Sequence, residues 1–144
     1  MYEPQKFLTV EMASEVLKEF EWPAPYVLED WLPDGVAMVF PKCTLMFSEG
    51  FESDMDLTLS APDAGADEVV TLTDYLLMLR ATTDRESLPP EPTLIREHIP
   101  HASQEKVKIG LRNLAALSLT FARHCMLGEF SWMESYRAFR HQTS

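Results

Sequence analysis

The chain is poor in the residues that build chemistry by themselves. It has two cysteines, Cys43 and Cys125, in 144 residues, too few for a disulfide scaffold. A single bridge between them is open on sequence alone. Their apolar surroundings make two buried thiols in a reducing cytoplasm the plainer arrangement. The five glycines, Gly35, Gly50, Gly65, Gly110 and Gly128, stand singly, so there is no glycine-rich phosphate loop. The most apolar stretch, Val107 to Leu127, is interrupted by Lys108, Arg112 and Arg123, which reads as a core helix and not a membrane span. Residues 1–20 carry glutamates through an amphipathic run, unlike a secretory signal.

Basic residues are scarce in one half. Residues 1–70 hold Lys6, Lys18 and Lys42 against fifteen acids, a balance of −12. Residues 71–144 hold nine basic and eight acidic residues, a balance of +1, and the two together give the overall −11. One-sided acidity makes a directed field that attracts a basic partner and repels nucleic acid and anionic membranes. At 46% hydrophobic and 24% charged, the chain has the composition of one folded domain spanning residues 1–144.

The pattern of elements is α+β. A helix is predicted from Val10 to Phe20, with Thr9 as N-cap and Val10, Ala13, Val16, Leu17 and Phe20 on its apolar side. Four strands follow as an antiparallel meander: Tyr26–Trp31, Val36–Phe40 after the Pro33-Asp34-Gly35 turn, Cys43–Ser48, and Glu52–Ser60. The last alternates Met55, Leu57 and Leu59 with Asp54, Asp56, Thr58 and Ser60. Pro62 to Asp67 is a predicted loop. The second half is helical: Thr71-x-x-Asp74 caps a helix to Ala81, a short helix covers Thr93–Ile99, and Ser103 caps a long central helix ending near Leu127 before Gly128. Its predicted stripe is Val107, Gly110, Leu111, Leu114, Leu117, Phe121 and Cys125, with another element packed close at Gly110. A last helix covers Trp132–Arg140.

The candidate site is the acidic group Glu49, Glu52, Asp54 and Asp56 with Phe51 among them. Two carboxylates two apart on a strand share a face, so Asp54 and Asp56 could bind a cation or do acid–base work. The other oxygen ligands of a metal site are missing, so no metal or cofactor is expected. A solvated sheet face accounts for the acids most simply. An aromatic in an acidic field is also the setting of a protein-binding anchor. His98-x-x-His101 is split by Pro100 and reads as surface or capping histidine. His124 and Cys125 are adjacent on a helix and point about 100° apart, so they form no dyad.

The run Leu127-Gly128-Glu129-Phe130-Ser131-Trp132, with a helix, an acidic meander and a helical second half, resembles the small immunity proteins of bacterial polymorphic and contact-dependent toxin systems. That resemblance implies a cytoplasmic non-enzyme that blocks a basic toxin or nuclease domain. The partner-binding residues are then Glu49, Phe51, Glu52, Asp54 and Asp56, in a monomer or homodimer. The rival expectations are a small hydrolase using Asp54 and Asp56, and a structural homodimeric subunit.

Overall fold

A computed structural model describes residues 6–31, 34–61 and 69–143. Five antiparallel strands lie in sequence order: β1 (Val27–Trp31), β2 (Gly35–Phe40), β3 (Cys43–Glu49), β4 (Met55–Ser60) and β5 (Val70–Thr71). The helices are α1 (Val10–Leu17), α2 (Leu72–Thr82), α3 (Gln104–Phe121), α4 (Arg123–Met126) and α5 (Met133–Thr143). The α+β class with a long helix in the second half is therefore as expected, with one strand more than the meander read from sequence. β5 is two residues long and runs straight into α2, so its strand pattern is too short to see. The predicted loop at Pro62–Asp67 lies outside the described residues.

Local signals placed the helix starts. Thr9 accepts from the Met12 N–H, Thr71 from Asp74 and Ser103 from Lys106, each filling one orphan donor of a first turn. Gly128 closes α4 with φ +93°: its N–H reaches the Cys125 carbonyl, and the Glu129 N–H reaches His124. That pair of bonds is a Schellman cap.

Two helix predictions need correction. The long helix breaks at Ala122 (φ −124°, ψ 19°), so α3 and α4 are separate pieces. No helix forms over 93–99, because the Asn113 side chain takes both backbone groups of Ile95, accepting from its N–H and donating to its carbonyl. A helix would need those groups for itself. His98 and His101 lie on this irregular segment, exposed.

Alternation on the strands defines two faces. Val36, Met38 and Phe40 of β2, Cys43, Leu45 and Phe47 of β3, and Leu57 and Leu59 of β4 are buried against the helices. On α3 the buried line is Val107, Leu111, Ala115 and Ser118, ending at Phe121. Leu114 and Leu117, predicted on that line, are half-buried at its margin. Gly110 lets Met55 come close: a Cβ there would sit 2.8 Å from the Met55 Cβ. The opposite face presents Gly35, Ala37 and Val39 of β2 and Thr44, Met46 and Ser48 of β3, of which Ala37 alone is buried.

Both cysteines are free and buried. Burial pushes the Cys43 thiol up to about 12 and Cys125 to about 11. Among the described residues, no helix is long and apolar enough to cross a membrane.

Candidate functional site

The helices cover one sheet face, so the other belongs almost wholly to the acidic half of the chain. Directly opposed residues of antiparallel strands point the same way. The register Trp31↔Gly35, Gly35↔Ser48 and Ser48↔Asp56 therefore makes one row across four strands on the open face. Gly35 has no side chain, and the Trp31 ring fills the space: a Cβ on Gly35 would lie 2.7 Å from its Cε3. Around this row is a shallow depression of about 650 Å³, bounded by Trp31, Asp34, Asp54, Asp56 and Thr73. Trp31 remains 43% exposed.

The loop from Glu49 to Asp54 rims this end of the sheet. β3 runs one residue past the expected Ser48, and alternation then turns Glu49 inward beside Phe47. Glu49 is 2% exposed. Its Oε1 accepts from the N–H groups of Phe7 (2.7 Å) and Leu8 (2.8 Å), and its Oε2 from the Ser53 hydroxyl (2.6 Å). Lys6 Nζ donates to the carbonyls of Glu49 and Gly50. Three donors replace the water that a buried carboxylate loses. Glu49 thus ties Phe7 and Leu8 to the loop, and it is not part of an exposed acidic face.

The predicted strand from Glu52 is also corrected. Phe51–Ser53 is a short helical turn in which Glu52 and Ser53 hold φ of 56° and 60°, a left-handed region costly to residues with a Cβ. The turn is closed by Gly50 N–H to the Asp54 carbonyl and by Asp54 N–H to the Phe51 carbonyl. Phe51 projects from it 78% exposed. Asp54 therefore precedes β4. Its carboxylate is 3.0 Å from Lys106 of α3. Asp56 alone continues the strand row, so the two carboxylates are not a matched pair.

The structure thus brings Phe51, Glu52, Asp54 and Asp56 to one end of the sheet and removes Glu49 from its surface. It adds Trp31 and Asp34, which sequence reasoning did not select. Asp34 stood in a recognised turn. The exposure of Trp31 follows only from its pairing with a glycine. Among the described residues, no group of three or more His, Cys, Asp and Glu side chains is placed to hold a metal ion.

A second polar cluster lies in the helical layer. The Tyr75 hydroxyl donates to the Phe121 carbonyl at 3.3 Å and lies within hydrogen-bond distance of His124 Nε2, 2.9 Å away, where the imidazole tautomer sets which one donates. Burial raises the Tyr75 pKa, so the phenol stays protonated. Trp132 packs on Tyr75 with ring centroids 4.6 Å apart and planes tilted by 52°, and its indole N–H donates to the Glu129 carbonyl. The Glu129 carboxylate accepts from the Ser131 N–H and hydroxyl, which lowers its pKa. The Gly128–Trp132 run therefore closes α4 and opens α5.

No protein-family model, curated protein or solved structure matches this chain.

Proposed function

We propose that this protein is a non-catalytic binding domain of the immunity type, which blocks a basic toxin or nuclease domain with the acidic end of its sheet. The observation that carries the reading is Phe51. A large apolar side chain stands in water on a loop that is strained at two residues and pinned by a buried carboxylate. Folding gains nothing from that exposure, whereas a rigid aromatic gives a partner contact area at little entropic cost. Asp34 and Asp56 at the same end of the sheet supply steering toward positive charge. Trp31 supplies a second aromatic, and the shallow depression suits a protruding basic side chain of a partner more than an enclosed substrate.

The test is genetic and biochemical. The product of the reading frame next to this gene is expressed in a bacterial host with and without this chain. The expected result is growth arrest by that product alone, rescue by this protein, and loss of rescue with Phe51→Ala combined with Asp56→Asn. A neighbour that is harmless, or one whose toxicity persists in the presence of the folded wild-type chain, overturns the immunity reading.

A further inference from the structure

We infer that the free edge of β1 takes up a basic extended segment of the partner as an added antiparallel strand. This inference rests on the binding reading above and names how the partner docks. β1 is the first strand of the sheet and, among the described residues, pairs only with β2. Alternate residues of an edge strand direct N–H and C=O groups outward, a row of unmet hydrogen-bonding groups. Four of its five residues are exposed, and Val27 is 58% so. The opposite edge is different: β5 is two residues long and passes at once into α2.

Charge selects the occupant. β1 reads Val27-Leu28-Glu29-Asp30-Trp31, so two carboxylates sit at its centre. An antiparallel second copy in full overlap would set Glu29 opposite the same residue of that copy. A one-residue slip in one direction would set it opposite Asp30. Like charges directly opposed destabilise a strand pair, so the edge resists self-association in those registers. A strand with two lysines at its centre and apolar residues opposite Val27, Leu28 and Trp31 satisfies the backbone, both carboxylates and the exposed apolar groups together. Trp31 ends β1 beside the depression, so such a strand enters at the Phe51 end of the sheet and runs away from it along β1.

The experiment uses the whole chain and two capped peptides, Thr-Val-Lys-Lys-Val-Val-Thr and its counterpart with Glu-Glu in place of Lys-Lys. Backbone amide exchange is followed by NMR. The Lys-Lys peptide should slow exchange of alternate amides in residues 27–31 by about tenfold or more, and the Glu-Glu peptide should not. In the double variant E29K/D30K the preference should reverse. Shifts confined to Phe51 and Asp56, with β1 exchange unchanged, would overturn strand addition while leaving the binding reading intact. No binding of the Lys-Lys peptide at millimolar concentration would also overturn it, whatever the rescue experiment shows. Protection of β1 without any peptide, with a dimer in light scattering, would assign the edge to a second copy and overturn it too. Peptide protection in a protein that fails the rescue test would keep the edge and discard the immunity role.

Discussion

The two connections of β3 stand at opposite ends of the sheet and are built on opposite terms. The one before it is the two-residue link Pro41-Lys42, between the opposed residues Phe40 and Cys43. Pro41 and Lys42 are exposed, but the link packs on the turn that ends α4: a Cβ on Gly128 would be 2.8 Å from the lysine Cβ. The one after β3 is longer, holds two left-handed residues, and leaves Phe51 in solvent. The first end spends its residues on packing. The second has its network of Glu49, Ser53, Lys6, Phe7 and Leu8 hold a loop whose exposed tip contributes nothing to the core. Stability and binding should therefore be separable between the two ends.

The largest expected effect is on the anchor of the open end. Glu49→Ala strands two backbone N–H groups and a hydroxyl, and should cost about 3–5 kcal/mol in urea melts. A loss under about 1 kcal/mol would mean that the loop is not held by this carboxylate.

At the Pro41-Lys42 end the buried thiols supply a pH test. Both hold their protons more tightly when folded, with values of about 12 and 11 against 9.0 for a free thiol. Above pH 9 the unfolded chain releases protons that the folded chain retains. Stability is therefore intact below pH 9 and falls as pH rises toward 11, by roughly 2 kcal/mol for each thiol. Replacing both cysteines with alanine should flatten that slope in thermal melts; an unchanged slope would assign it to other groups.

Gly128→Ala attacks the same end through the backbone. It forces a side chain into a left-handed residue and into Lys42, and should cost about 2 kcal/mol. A neutral result would show that Lys42 and the turn at Gly128 can shift apart.

Glu52→Gly sharpens the contrast, because it relieves a left-handed residue at the open end. The free protein should gain about 1 kcal/mol while the loop loses rigidity. Smallest of all, Phe51→Ala should move the unfolding midpoint by no more than about 0.5 kcal/mol, since its ring is mostly in water. A larger drop would return Phe51 to the core and remove the ground for a binding tip.

Much of this plan was legible in the chain. Thr9, Thr71 and Ser103 cap where they were expected, because a cap depends on a hydroxyl and an N–H three residues on. Gly110 announced a close approach, and Met55 supplies it. The candidate site was read less well. Glu49 continued the inward series of Cys43, Leu45 and Phe47, so period two contained the signal. A carboxylate at the core face becomes credible only once donors from residues 41–42 positions away are seen to meet it. The missing helix over 93–99 failed for the same kind of reason: Asn113, eighteen residues from Ile95, outbid local propensity.

By itself, then, the sequence determined the α+β order of elements, the helix caps, the inward and outward sides of the long strands, and the concentration of negative charge in residues 1–70. These rest on interactions spanning a few residues or on charge count. Only the tertiary structure decided that the acidic half would own an uncovered sheet face, that Glu49 would leave that surface, and that Trp31 would lie over Gly35 in one row with Ser48 and Asp56. Those outcomes depend on strand register and on which face the helices cover, and both are set by contacts between residues far apart in the chain.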